Sequence, residues 1–471
     1  MPSISSSVIL ITLLPMISSR TLRSLFTMCL CLSFALSSHA QTDENESILL
    51  RIEPEPAQTL LGFGTSLATE LNALPEGVLP DFSKRVFGDL KMNVVRLWAP
   101  SGEKETVETM LATFARRYLE SGRLELAEKQ GVTTNLLAPA RGEQAPAEPM
   151  ADYGRKLAEF ILQLKVRHQI TIHATGLANE PEKFSPQQVV DGVKSLRTEL
   201  DQRGLQEVGI VAPERANNDR SSLEMIEAIC ADPVALKSVR GLSTHSYSMA
   251  ANTPIASTIT GVNKEFWITE AGNTGHEEPG DTQRAASLAA RFLNDLNHRV
   301  THWIHFIAYA DSVNLSLDKD NATKLLVFDR KTGAEFESLQ YTYLRMLRVG
   351  FPTGCEIYPV TADPGGELVN SHGQKPKLNA AAARLPDGRW SLAVVNLTGL
   401  TSTPTATYDP AANLRVKFQL PAAESRLSKT FRRWRSNADK KIVDEGSKSI
   451  SDGEIAVDLR PQELMIFLEE K

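Results

Sequence analysis

Ile170-Thr171-Ile172-His173-Ala174, followed two residues later by Leu177-Ala178-Asn179-Glu180-Pro181, is the stretch on which the fold turns. A β-branched run that ends in an amide, a carboxylate and a proline reads as a strand with polar chemistry at its C-terminal tip. Barrel enzymes carry their catalytic groups at such tips. A surface turn can hold the same triplet, so its weight depends on what surrounds it.

Upstream, Leu157, Phe160, Ile161 and Leu164 follow the i, i+3, i+4, i+7 spacing of a helix laid on a sheet, which predicts a helix over 152–169. Downstream, Ser185 caps and Pro186 opens a helix whose Val189, Val193, Leu196 and Leu200 share a face, and Gly204 closes it. The alternation extends both ways. Strands are expected over 60–66, 92–98, 133–137, 170–174, 208–212, 241–247, 265–270 and 303–308, with further helices over 222–230, 282–297 and 334–347. Eight strands across residues 59–349, about 36 residues per unit, predict an α/β fold with a (β/α)8 TIM barrel. The alternative is an open doubly wound sheet, which would want a glycine-rich first turn. Gly62-Phe63-Gly64 completes neither a GxGxxG pattern nor a Lys-Ser/Thr loop, so no nucleotide site is read there.

After Gly350 the period changes to short runs without helical spacing, at 355–361, 378–385, 390–397, 414–420, 428–434, 454–459 and 464–468. Pro386-Asp387-Gly388-Arg389 is a hairpin turn between two of them. Residues 350–471 are expected to form an all-β sandwich, and segment 41–58, through a strand at 46–52, to join it from the other end of the chain.

Residues 1–40 read as a signal peptide. Arg20 and Arg23 precede an apolar run from Leu25 to Leu36, and Ser38-His39-Ala40 supplies a small-x-small cleavage site. The run is shorter than the roughly 20 residues of a membrane span. The expectation is a secreted or periplasmic protein with no stable membrane insertion after cleavage. Loss of two arginines would move the net charge from −6 to −8. With no basic run, nucleic acid is excluded as a partner. Cys29 and Cys31 leave with the leader, and Cys230 with Cys355 are too few for a disulfide framework. No cofactor and no metal is expected: His276-Glu277-Glu278 and the pair His302 and His305 lack a third ligand at a recognised spacing. Asn321-Ala322-Thr323 and Asn396-Leu397-Thr398 match the glycosylation sequon.

Glu270 ends its strand as Glu180 ends its own, and strand tips converge on one barrel mouth. Paired carboxylates are the equipment of glycoside hydrolysis, one as acid and the other as nucleophile or base. Arg96 and Trp98 share a strand face, and a buried arginine calls for a carboxylate partner. His245 and Tyr247 share a face at another tip and can donate to a carboxylate or a sugar hydroxyl. Trp303 opens the last strand and is expected as a flat apolar floor for a pyranose ring. Trp267, of opposite parity to Glu270, is expected to pack against a helix.

Gly62-Phe63-Gly64, Arg96, Asn179-Glu180-Pro181, His245-Ser246-Tyr247 and Thr269-Glu270 together resemble the retaining glycosidases of clan A. The sandwich drawn from both chain ends resembles glycoside hydrolase family 30 in particular. The likeness spans residues 45–471. It implies Glu180 as general acid/base, Glu270 as nucleophile and Asn179 as a partner of the sugar 2-hydroxyl. It also implies that Arg96 keeps Glu270 ionised, that His245 and Tyr247 line the subsite, and that Trp303 is the last-strand tryptophan of the pocket floor. Three departures bear on substrate identity: Ala138-Pro139-Ala140-Arg141 stands where the family has a Pro-Trp loop, Ala178 replaces a Gln, and the connection from the second strand to the third is short.

The function expected is a retaining β-glycoside hydrolase acting on an oligo- or polysaccharide or a glycoconjugate, similar to glucosylceramidases, β-glucanases or xylanases. The competing readings are a carbohydrate-binding barrel without catalysis and a retaining glycosidase of another clan A family.

Overall fold

The computed structural model describes residues 47–67, 74–100, 105–139, 149–370, 372–425, 427–436, 442–450 and 452–471. The expected leader at 1–40, and Ala140 and Arg141 of the third-strand loop, lie outside them.

Eight parallel strands close into a barrel: β1 Gly62–Ser66, β2 Val94–Ala99, β3 Thr134–Pro139, β4 Ala174–Gly176, β5 Gly209–Arg215, β6 Gly241–Ser246, β7 Glu265–Ala271 and β8 His302–His305, with β8 pairing β1. Val94, Leu136, Ala174, Val211, Trp267 and Ile304 form a separate apolar cluster inside it. They plug the lower barrel, as inward side chains of a closed parallel sheet must. Two residues beyond Val94 on the same face of β2 stands Arg96, so the lining turns from apolar to charged towards the mouth. Gly64 is required for closure, since a Cβ there would overlap the Val94 carbonyl oxygen.

The quoted stretch forms a shorter and later strand than its composition predicts. Only Ala174–Gly176 pairs with its neighbours. Helix Met150–His168 ends at Gln169 in the left-handed region, and Ile170 N–H returns to the Leu164 carbonyl. Ile170 to His173 are thus the riser from helix to barrel. Their β-branched side chains mimic a strand because both environments reward apolar bulk. The next helix starts as read, with Ser185 and Gln188 forming a capping box and Pro186 in the first turn.

The last barrel unit also differs. Ala334–Glu337 is a strand, antiparallel to Leu326–Asp329, which in turn pairs with Tyr309–Ser312. The helix begins only after Ser338, whose hydroxyl accepts from Tyr341 N–H, and runs Leu339–Gly350. Short helices at Val78–Ser83, Val107–Phe114, Arg123–Lys129, Pro233–Ser238 and Thr253–Gly261, which periodicity did not reveal, occupy the remaining units.

Beyond the barrel, two sheets pack face to face. One has four strands in the order Val360–Asp363, Ile48–Ile52, Leu414–Gln419, Glu454–Leu459. The N-terminal strand therefore joins the sandwich as expected, antiparallel to one neighbour and parallel to the other. The other sheet has seven strands and holds the hairpin Leu378–Arg384 to Trp390–Asn396, closed by Leu385 N–H to the Arg389 carbonyl. Its edge strand Ile442–Ile450 was not anticipated, because an exposed edge rich in Asp, Glu, Ser and Lys shows no apolar alternation. Leu50, Val416, Phe418, Leu392, Val394 and Phe467 fill the space between the sheets.

The outer face of the seven-stranded sheet, with Ala381, Ala383 and Ala393, shares the main core with Phe292 and Leu344 of the last two barrel helices. Alanines there let helix Thr282–Asn297 approach closely enough for Asn297 Nδ2 to donate to the Ala380 carbonyl at 2.6 Å. Cys230 and Cys355 are free thiols. Among the described residues no helix is long and apolar enough to cross a membrane.

Candidate active site

Arg96 stands at the centre of the barrel mouth with no solvent exposure. A guanidinium removed from water must be paired, and three elements supply its partners. Nη1 donates to Glu270 Oε1, from the tip of β7. Nη2 donates to Asn179 Oδ1 at 2.8 Å, from the loop after β4, and lies 3.4 Å from Glu214 Oε1 on β5. Burial alone would weaken the guanidinium, but Glu270 and Glu214 more than offset that and raise its pKa.

The second oxygen of Glu270 accepts from Tyr247 Oη at 2.6 Å. Burial and the adjacent Glu270 push that phenol well above its ordinary pKa, so it stays a donor. His245 Nδ1 sits between two carboxylates, 3.1 Å from Glu180 Oε1 and 3.6 Å from Glu270 Oε2. An oxygen from each glutamate and a nitrogen of His245 lie within 4.8 Å of one another. The hydrogen bond from His245 holds the Glu180 carboxyl below its usual range, against a desolvation that acts the other way. Glu180 itself has φ +49°, a left-handed conformation uncommon for a residue with a Cβ, which turns the chain sharply out of the barrel.

The tips of β2, β6, β7 and the β4 loop thus bring Arg96, Asn179, Glu180, His245, Tyr247 and Glu270 together. Trp98, two residues after Arg96, packs its ring 4.6 Å from the Arg96 guanidinium carbon. Its six-membered neighbour across the mouth is Phe306, edge-on at 6.2 Å and also edge-on to Tyr247 at 6.5 Å.

Trp303 is not at this mouth. It faces out of the barrel, stacked on Phe63 at 5.7 Å and edge-on to Phe292 at 5.2 Å, with Nε1–H donated to Asp295 Oδ2 at 2.9 Å. On β8, Ile304 points into the barrel, so alternation sends Trp303 outward and brings Phe306, just past the strand end, to the place expected for the tryptophan. Trp267 is displaced in the opposite sense. It lies in the inner cluster, stacked on His302 at 3.6 Å, because a bulge at Thr269 shifts the register between Ile268 and Glu270 and breaks the alternation used to place it outside. His276 is occupied by the Asp318 carbonyl and Glu278.

Glu214 is a site residue that the sequence analysis does not single out: the strand expected over 208–212 continues through Pro213 to Arg215 with a register shift. The available signal was a second Pro-Glu pairing at a strand tip. Gly176 makes the room for it, since a Cβ there would run into the Glu214 carboxylate. Burial raises the Glu214 pKa in spite of Arg96.

A sequence model for glycosyl hydrolase family 59 matches residues 139–321, from the end of β3 past β8, and so spans both Glu180 and Glu270. The chain shares the barrel fold of clan A glycoside hydrolases. The chain is similar in structure to the catalytic domain of a family 30 xylanase C from Talaromyces cellulolyticus, with a TM-score of 0.65 at 13% identity over 90% of this chain and 100% of that one. A family 30 endoxylanase from Clostridium papyrosolvens gives 0.63 at 15%, again over 90% and 100%. A family 51 arabinofuranosidase from Xanthomonas axonopodis pv. citri gives 0.60 at 13%, over the same shares. No curated protein sequence matches the chain. The expected clan A barrel with an appended sandwich is the fold it shares with these structures.

Proposed function

We propose that the protein is a retaining β-glycosidase in which Glu270 is the nucleophile and Glu180 the general acid/base. The observation that carries the assignment is the unequal environment of the two carboxylates. Both oxygens of Glu270 are held by donors, Arg96 and Tyr247, and only 3% of the residue is exposed, whereas Glu180 is half-open and meets one ring nitrogen. A nucleophile must be fixed and anionic, while an acid/base must exchange its proton with solvent between half-reactions. Oxygens within 4.8 Å also suit the close pair of a retaining enzyme rather than the roughly 6.5–9.5 Å of an inverting one.

In the first step, a Glu270 oxygen attacks the anomeric carbon, the glycosidic bond breaks, and Glu180 gives its proton to the departing oxygen. In the second, Glu180 takes a proton from water, which attacks the anomeric carbon and releases Glu270. Asn179 spends its carbonyl oxygen on Arg96, leaving Nδ2 to donate to the sugar 2-hydroxyl. Trp98 and Phe306, with Tyr247, would supply the apolar walls against a sugar face. Residues 1–40 support export to the periplasm or the exterior.

Release of aryl alcohol from a panel of aryl β-glycosides tests the reading. Turnover is expected from the native protein and none from Glu270→Gln, with azide adding at the anomeric carbon in Glu270→Ala to give an α-glycosyl azide. An unchanged rate in Glu270→Gln would sink the nucleophile assignment.

A further inference from the structure

Arg215 ends β5 at the barrel mouth, one residue after Glu214, and only 6% of it is exposed. The register shift between Pro213 and Arg215 sends the two neighbours to different places, Glu214 to Arg96 and Arg215 to the loop that carries Glu180. Arg215 Nη2 lies 2.5 Å from Glu182 Oε2 and 3.8 Å from Asp219 Oδ2, and its Nε has no partner among the described residues. Asp219 is already engaged as a helix cap, accepting from Ser222 N–H at 2.9 Å. Glu182 is therefore the main counter-charge of a nearly buried guanidinium, and charges at such depth are weakly screened.

The turn that bears Glu180 is held from the same strand. Glu180, at φ +49°, gives its N–H to the carbonyl of Glu214, itself at φ +61°, at 3.0 Å. Glu182 N–H returns to the Glu180 carbonyl at 2.7 Å across Pro181, and Phe184, in the main core, gives its N–H to the Pro181 carbonyl at 3.2 Å. Backbone in the left-handed region persists only where its surroundings over-determine it. Here the backbone bond to Glu214 and the side-chain pair of Glu182 with Arg215 fasten the turn to β5 at two points.

The charged and titratable groups facing the Glu180 carboxyl are His245 of β6, Arg96 of β2 and Arg215 of β5, with Glu270 and Tyr247 across the mouth. The hydrogen bond from His245 acts most strongly in holding the carboxyl below its usual range, and the charges of Arg96 and Arg215 act in the same direction. Arg96 is engaged with Glu270, Asn179 and Glu214, and His245 lies between the two catalytic carboxylates. The partners of Arg215 lie outside that set.

We propose that Arg215 is a positioning residue for the acid/base, fastening the Glu180 turn through Glu182 and bringing a positive charge to bear on the Glu180 carboxyl that Glu182 partly neutralises. The role in catalysis rests on the reading of Glu180 as acid/base, whereas the electrostatic coupling is measurable without turnover.

The test is a carbon-13 NMR pH titration of full-length protein labelled at its glutamate side-chain carboxyls, the Glu180 signal being the one lost in Glu180→Gln. Arg215→Gln is expected to move the Glu180 midpoint up by at least about half a pH unit, Glu182→Gln to move it down, and Arg215→Lys to keep it near the native value. Opposite shifts are the signature of the pair, since a merely structural role gives no shift or moves both variants alike. Midpoints unchanged in both, or displaced in the same direction, overturn the proposal. Glu182→Gln, at the more exposed partner, decides the matter if Arg215→Gln does not fold. The alkaline limb of kcat/KM on an alkyl glycoside should follow the same order. Coupling seen by NMR in a protein without turnover would refute the glycosidase reading and leave the coupling standing, so the two failures are distinguishable.

Discussion

Glu214 Oε1 lies 3.4 Å from Arg96 Nη2, and neither side chain has any solvent exposure. Arg96 therefore faces two carboxylates, Glu270, which is proposed to react, and Glu214, which is too deep to reach a substrate. Glu214 is read as a positioning residue that anchors the guanidinium. Glu214→Leu is expected to leave an under-compensated buried charge and cost about 3–5 kcal/mol of unfolding free energy. Gly176→Ala should act on the same pair by driving a methyl into the Glu214 carboxylate, at about 1–3 kcal/mol. Denaturant titration measures both, and wild-type midpoints in either variant would refute the role.

The pH dependence follows from Glu180. His245 holds its carboxyl below the ordinary 4.5 in the free protein. The acid half of the reaction needs Glu180 protonated, so kcat/KM should fall as pH rises through that lowered value. His245→Phe removes the donor, and the alkaline limb of the kcat/KM profile is expected to move to higher pH. A limb that stays or moves down would show that His245 does not set it.

The leaving group separates acid catalysis from other losses. Glu180→Gln should slow hydrolysis of an alkyl glycoside by about 10²–10⁴-fold, because its alkoxide needs the proton. A dinitrophenyl glycoside leaves as a stable anion, so its first step should be nearly untouched. Equal losses on both substrates would exclude Glu180 as the acid.

Trp303 and Phe306 exchange the roles that composition suggests. Trp303 is wedged between Phe63 and Phe292 and bonded to buried Asp295, so Trp303→Ala is expected to cost about 3–5 kcal/mol in thermal or denaturant unfolding. Phe306→Ala, at the half-buried rim, should instead raise KM while the folded fraction is unchanged. The reverse pattern would return the tryptophan to the site.

The sequence alone determined what local pattern encodes. Helices such as 186–202 were legible from cap residues and apolar spacing, and the eight-strand alternation from β-branched runs between them. Asn179-Glu180 and Glu270 stood out because polar residues at the ends of apolar runs have few structural uses. Only the tertiary structure decided which way side chains face once alternation is broken. The bulge at Thr269 turned Trp267 inward, and the parity of β8 turned Trp303 outward and left Phe306 at the rim. It also decided the pairings that distant segments make: Glu214 reaches Arg96 through the space left by Gly176, and Lys375 of the sandwich meets Arg291 of a barrel helix. Such contacts depend on register and closure summed over the whole barrel, and no window of sequence carries that sum.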